Sequence, residues 1–304
     1  MQNLNDDHQS AGKDEISPQG ASWIRVCIVV AIVSGLYRLL VYEGLEQGAI
    51  LFIGIPLCLS ILLAKTRTPK SPFGVIAKSI TLALLLSGIL LIEGLVCIIM
   101  AAPLFYLVGW IVSIVSSDAN RDKTKLNCCV IGVLMLFSLE GLTTSLSFER
   151  SEKVVVSQAL EMTKEEAMAR LAKGPNFNLA EIPMFFKIGF PLPQKISGDG
   201  IAVGDEWVIH FAGGEGKPGD LVLEVIESAD NYVTYQCLSD ESHIAHWMDW
   251  KTITWHVTDS TDDKSEISIE LEYDRLLDPA WYFKPLERYG VKKAGEYLIS
   301  QMFN

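Results

Sequence analysis

The chain has 304 residues, of which 49% are hydrophobic and only 20% charged, with a mean hydropathy of +0.27. A soluble domain carries about a quarter of its residues as charges, so the composition excludes an ordinary, wholly soluble chain. Residues 1–146 hold ten basic and ten acidic side chains and residues 147–304 hold fifteen and twenty-seven, so the net charge of −12 belongs to the C-terminal half. Such a surface excludes nucleic acid, which needs clustered Lys and Arg, and opposes a face pressed onto anionic lipid.

Residues 1–21 are polar and net acidic, the opposite of a secretory signal's basic start, and are expected to form a disordered tail. Residues 22–146 are expected to be a transmembrane helical region, because a span needs about 20 mostly apolar residues. Five spans fit, near residues 23–42, 47–63, 74–92, 95–115 and 126–146. Arg25 and Arg38 stand close enough to the ends of the first to snorkel, and Pro103 predicts a kink in the fourth. The split at Glu93-Gly94 rests on charge. Lys65, Arg67, Lys70 and Lys78 precede the third span, and Arg121, Lys123 and Lys125 follow the fourth. Both groups are expected on the cytoplasmic side, which requires an even number of spans between them. The N-terminus is then cytoplasmic and the C-terminal domain extracytoplasmic, in an integral protein of a bacterial inner or plasma membrane.

The tripeptide Glu-Gly-Leu occurs at Glu43, Glu93 and Glu140, each toward the outer end of an odd-numbered span. A polar turn or cap accounts for it. The sharper reading is a membrane polar site of Glu93 and Glu140 with Arg38, since ionisable groups at depth are expensive and often functional. Five of the six cysteines, Cys27, Cys58, Cys97, Cys128 and Cys129, lie in this region, and Cys237 stands alone beyond it. The spacing gives no zinc pattern, and no metal or cofactor is expected.

From residue 150 the pattern becomes that of a globular α+β domain. A strand over Val154–Leu160 leads to Thr163-Lys164-Glu165-Glu166, a capping box that opens a short helix ending near Gly174-Pro175. Strands are predicted over Glu206–Ala212, Asp220–Glu227, Asn231–Leu238, Trp247–Val257 and Glu266–Tyr273. In the last, Ile267, Ile269, Leu271 and Tyr273 alternate with Glu266, Ser268, Glu270 and Glu272, which marks one buried and one wet face. Asp278 as N-cap and Pro279 at N1 open a long amphipathic helix to about Met302, with Pro285 expected to disturb its first turn. The order fits a curved antiparallel sheet wrapped around one long C-terminal helix.

That layout, with the phrases Trp250-Lys251-Thr252-Ile253-Thr254-Trp255 and Asp278-Pro279-Ala280-Trp281-Tyr282-Phe283-Lys284-Pro285, resembles the helix-grip domains of the SRPBCC superfamily. That group includes START lipid-transfer domains, polyketide cyclase/aromatases and the birch-pollen-allergen proteins. The likeness covers residues 150–304 and lies in layout and texture. It departs from the simple pattern at Pro175–Pro193, where a segment rich in Phe and Pro replaces a second helix. The resemblance implies a hydrophobic cavity between sheet and helix, able to hold a lipid or polycyclic ligand. The aromatic residues available to line it are Phe185, Phe190, Trp207, Phe211, Tyr235, Trp250, Tyr273 and Tyr297. On the long helix Gly290 and Ala294 share a face with Leu286 and Tyr297. Their small size permits either a hollow or a close approach to the sheet.

Catalytic patterns are sparse. His243 and His246 share a face only if their segment makes a helical turn. His210, His256, Glu206 and Asp249 could supply an acid–base pair, but no spacing demands one. No nucleophile elbow occurs, and Gly213–Gly219 reads as a hairpin loop, not a phosphate loop. The sequence therefore predicts a membrane-anchored binding protein whose partners are the lipid bilayer and a hydrophobic small molecule or lipid. The alternatives are a cyclase- or hydrolase-like enzyme on a lipid or polyketide-type substrate, and a non-catalytic membrane sensor or assembly factor.

Overall fold

The computed structural model describes residues 18–41, 54–67, 69–90, 95–117, 132, 140, 148–177, 182–184, 186–188, 190–212, 218–261 and 264–303. The chain forms two compact units, Met1–Ile92 and Glu93–Asn304. In the first, helices α1 (Pro18–Val41), α2 (Ile55–Lys65) and α3 (Pro72–Leu90) pack on one another. Proline opens α3 where its missing N–H costs nothing, and the Ser71 hydroxyl accepts from the Gly74 N–H at 3.1 Å. Helix α4 (Leu95–Ser117) begins the second unit and runs unbroken through Pro103.

Among the described residues two stretches, Pro72–Ile89 and Val96–Ile114, are long and apolar enough to cross a membrane. Only 28% and 11% of them are buried, so their apolar surface is largely uncovered by protein. The apolar parts of α1 and α2, Ala21–Val33 and Ile55–Lys65, are shorter. Five spans are thus more than the described residues supply. Of the last predicted span only residues 132 and 140 are described, and the predicted tail lies almost wholly outside the described residues.

The rest of the second unit is a seven-stranded antiparallel sheet. Its strands are β1 (Ser151–Leu160), β2 (Leu192–Ser197), β3 (Glu206–Ala212), β4 (Gly219–Ala229), β5 (Tyr232–Asp240), β6 (Met248–Thr261) and β7 (Lys264–Arg275). The order across the sheet is β1-β7-β6-β5-β4-β3-β2, so every neighbour is consecutive except the first strand, which pairs with the last. Register shifts in β2–β3, β4–β5 and β6–β7 mark bulges, which bend strands and curl a sheet. The expected alternation in β7 is present, with Ile267, Ile269 and Tyr273 fully buried and Leu271 nearly so. Strand β2 is a structural finding: Leu192-Pro193-Gln194-Lys195 carries a proline and lacks clean alternation, and its edge position tolerates both.

Two helices cover the concave face. Helix α5 (Lys164–Leu171) is closed by the predicted capping box, the Thr163 hydroxyl accepting from the Glu166 N–H and the Glu166 carboxylate from the Thr163 N–H. Helix α6 (Ala280–Phe303) packs along β1 and β7. Gly295 sets its distance from the sheet, because a Cβ there would stand 2.9 Å from Val156 and 3.3 Å from Ile269 and Leu271. A single antiparallel sheet curled about a long C-terminal helix fits a helix-grip domain.

Two details of α6 differ from expectation. Pro285 stays inside the helix without breaking it; the bond it forfeits is to the carbonyl of Trp281, an exposed residue in the first turn. Asp278 does not cap the helix. Its carboxylate is drawn to Arg275 at 2.7 Å and Arg150 at 2.5 Å, and the Ala280 N–H at the helix start instead donates to Glu140 Oε1 at 3.0 Å. A buried guanidinium needs counter-charge more than a helix end needs one particular cap.

Candidate functional site

A cavity of about 270 Å³ opens beside the N-terminal half of α6. This lies just below the usual range for small-molecule sites, about 300–1,000 Å³. From α6 it is lined by Leu286, Glu287, Gly290, Val291 and Ala294, and the small residues at 290 and 294 are what leave room. Its second wall comes from the turn ahead of β6 and from β6 itself, through Ile244, Trp247, Met248 and Trp250. Phe186 and Phe190, from the irregular segment, and Val96, Ile99, Met100 and Pro103, from α4, complete it. The Phe190 ring meets Phe186 and Trp247 edge-on, each at 5.6 Å between centroids, a favourable aromatic geometry. The Tyr282 hydroxyl donates to the Met100 carbonyl, joining α6 to α4.

These walls are almost wholly apolar, the polar residues among them being Tyr282, Tyr289 and one carboxylic acid, Glu287. Glu287 is only 4% exposed, and neither carboxyl oxygen has a hydrogen-bond partner among the described residues. Burial raises its pKa from the ordinary 4.5 to about 8. The nearby Arg275 works against that shift, and Glu152 and Asp278 add to it. At neutral pH the group is therefore mostly a carboxylic acid, able to donate one hydrogen bond and accept another.

The surrounding charges are organised at the same end of the domain. Glu152 on β1 is buried and ion-paired with Lys284 at 2.5 Å and Arg288 at 2.9 Å, both on α6. Arg275 is fully buried at the end of β7, bonded to Asp278 and to the Leu277 carbonyl, with Glu140 at 3.7 Å. Burial would raise Asp278, but hydrogen bonds from Arg275 and Arg150 outweigh it and hold that carboxyl below its ordinary value. Tyr273 lies close to Glu287 and Glu152, and burial, with those two carboxyls, pushes its phenol up. Its hydroxyl has no hydrogen-bond partner among the described residues.

The aromatic residues singled out in the sequence fall into separate places. Phe190 and Trp250 line the cavity. Trp207 and Tyr235 line a separate hollow of about 50 Å³ under the C-terminal part of α6, room for a water or two. Phe211, Tyr273 and Tyr297 are buried; Tyr273 stacks edge-on with Trp250 at 5.7 Å and Tyr297 lies 6.4 Å from Phe177. Phe185 lies outside the described residues, as do Glu93 and the side chain of Arg38. Glu140 faces Ala280 and Arg275.

The other polar candidates are scattered. His243 and His246 share a 3-10 turn with rings 4.9 Å apart, and no metal-holding group of His, Cys, Asp or Glu occurs among the described residues. His210 pairs with Asp220 across β3–β4 at 2.6 Å, Asp249 pairs with Lys251 at 2.5 Å, and His256 packs near Tyr232. Glu287 had escaped the sequence reading. It was legible in principle, because it continues the stripe Val291, Gly295, Ile299 backwards by four residues.

No family model matches the chain, and no curated protein matches its sequence. Solved structures do resemble its C-terminal half. A truncated norcoclaurine synthase from Thalictrum flavum is 13% identical, covering 51% of this chain and 92% of its own, with a TM-score of 0.36. A START superfamily protein from Mycobacterium smegmatis is 10% identical over 49% of this chain and 96% of its own, with a TM-score of 0.35. An aromatase/cyclase from Streptomyces sp. R1128 is 7% identical over 50% and 93%, with a TM-score of 0.33.

Proposed function

We propose that residues 150–304 form a binding domain for a lipid or other hydrophobic small molecule, held at a membrane by the helices that precede it. The observation that carries this reading is the cavity of about 270 Å³ whose walls are almost wholly apolar side chains, with Glu287, Tyr282 and Tyr289 the polar residues among them. Interiors are normally close-packed, so a hollow of this size flanked by small helix residues is a built space for an apolar occupant. The membrane part of the reading rests on two helical stretches of spanning length whose apolar surface is mostly uncovered. The N-terminus would lie in the cytoplasm and the C-terminal domain outside.

The test is extraction of the purified full-length chain with organic solvent and mass spectrometry of the extract, beside the variant Ala294→Leu. A co-purifying hydrophobic molecule in the natural chain, lost when leucine fills the hollow, is the expected result. An empty natural chain that takes up no apolar probe overturns the reading.

A second reading, an enzyme acting on a lipid- or polyketide-type substrate, is favoured by one observation, the buried carboxyl of Glu287 with its raised pKa. Groups tuned in this way serve proton transfer near neutrality. Chemical change of the extracted molecule on incubation with the natural chain, absent with Glu287→Gln, would move the assignment from binder to enzyme.

A further inference from the structure

We propose that the outward face of α6 is a docking surface for the anionic headgroups of the bilayer in which α4 is set. The inference deepens the membrane part of the reading above and rests on it. Trp281, Lys284, Pro285, Arg288, Tyr289 and Lys292 are all exposed, and their spacing of three and four residues places them in one stripe along the helix. Lys293 stands half-buried at its edge. Four of the fifteen basic residues of the C-terminal half thus fall between positions 284 and 293, where the one acid, Glu287, is buried. Two neighbouring carboxylates answer part of this charge. Glu152 pairs with both Lys284 and Arg288, whose side chains stay 46% and 47% exposed, and Glu296 pairs with Lys293. Four cations against two acids leave the stripe at +2, in a half of the chain whose total is −12.

What the stripe meets follows from its aromatic residues and from its neighbour. Trp and Tyr are the side chains enriched where membrane meets water, and a helix face that joins them to Lys and Arg suits a helix lying on anionic lipid. The neighbour is α4. Its apolar stretch Val96–Ile114 has 19 residues, about 28 Å of helix, close to the thickness of the hydrocarbon layer. The Tyr282 hydroxyl donates to the Met100 carbonyl, about 6 Å along the axis from the start of that stretch. Helix α6 is thereby tied to α4 at the border of hydrocarbon and headgroups, and Tyr289 belongs both to the stripe and to the cavity wall. The acids Glu266, Glu270 and Glu272 of β7 lie on the face of the sheet turned away from α6, so docking does not press them onto lipid. An acidic protein would answer the charge alone; the exposed tryptophan and the tie to a helix of spanning length select the lipid surface.

Lysine acetylation of the full-length chain in nanodiscs, each site's rate read by peptide mass spectrometry, tests the assignment. Discs of phosphatidylcholine alone are compared with discs in which phosphatidylglycerol replaces part of it. Each cation held at an anionic surface favours docking about fivefold, so the net two predict that phosphatidylglycerol slows Lys292 and Lys293 by more than about tenfold. Lys153 and Lys251, paired with acids on the opposite face of the sheet, keep their rates, and high salt abolishes the slowing. Lys292→Glu, a change at an exposed site, brings the stripe to zero net charge, and Lys293 then reacts alike in both discs. Equal rates in the two discs, or equal slowing of Lys153 and Lys251, overturns the assignment. So does protection that ignores lipid composition and salt, or that appears only when two copies share a disc, which would put protein on the stripe. Each of these outcomes leaves the ligand cavity standing, because solvent extraction reads it separately. A chain that enters neither kind of disc overturns the membrane reading and this inference with it.

Discussion

Replacing Glu287 by Gln removes the titration and keeps the shape, so the two chains should part company as pH rises. In the unfolded chain this carboxyl loses its proton near 4.5, and in the folded chain near 8. The stability contributed by the neutral buried carboxyl is therefore fully present below about pH 4.5. It declines as the unfolded state releases a proton that the folded state retains, and it is gone above about pH 8. Each unit of pKa corresponds to about 1.4 kcal/mol, so the whole loss is about 5 kcal/mol. For a domain of this size 1 kcal/mol moves the melting temperature by about 2–4 °C. Thermal melts of the full-length chain, followed by near-ultraviolet circular dichroism of the domain's tryptophans, should give matching midpoints for the two chains at about pH 4.5. Near pH 9 the Gln variant should melt about 10 °C or more above the natural chain. The comparison cancels every other titrating group, including Asp278, whose contribution runs the opposite way and is lost as pH falls. Midpoints that change in parallel from acid to alkaline pH would show that Glu287 ionises freely, and the account of the cavity as a dry, apolar space would fail.

Other predictions follow from packing and charge. Gly174 has φ +75° and a Cβ there would lie 2.3 Å from the Trp207 ring, so Gly174→Ala should cost about 2–4 kcal/mol through left-handed strain and overpacking, read as a lowered denaturation midpoint. Gly295→Leu, which drives a side chain into Val156, Ile269 and Leu271, should lose about 3 kcal/mol or more, whereas Ala294→Leu, facing the cavity, should fold with little loss. Arg275→Met takes the guanidinium from Glu140 and leaves Asp278 with Arg150 alone, and should cost about 3 kcal/mol; a melt equal to the natural chain would deny the network its role. The Cys237 thiol is pushed up to about 11 from 9.0, chiefly by burial with Asp240 and Asp249 adding. It should then react with maleimide roughly a hundredfold more slowly than a free cysteine at neutral pH, as peptide mapping of the labelled site can measure.

The domain's outline was written plainly in the chain. Alternation in Ile267–Tyr273, the capping box at Thr163 and Glu166, and the stripe through α6 each express a local rule, and local rules survive without knowledge of the partner surface. The spacing of Trp207, Ile209 and Phe211 likewise put three side chains on one face, and all three are buried. Where reading stopped short was β2, whose edge place excuses a proline, and the helix start, where Asp278 turned to Arg275 and left the Ala280 N–H to Glu140. Both outcomes depend on residues distant in sequence.

The sequence alone determined which face of each strand and helix is apolar, because burial repeats with the period of the backbone. It determined the uneven charge and the apolar N-terminal half for the same reason, as sums over local composition. Only the tertiary structure decided that Gly290 and Ala294 open a hollow while Gly295 closes onto the sheet, a difference set by a rotation of about 100° between neighbouring helix positions. It alone brought Glu152, Arg275 and Glu287 to one end of the domain, each standing where an apolar stripe would have continued. A carboxyl's chemistry depends on the water and charge around it, and those are supplied by elements far apart in the chain.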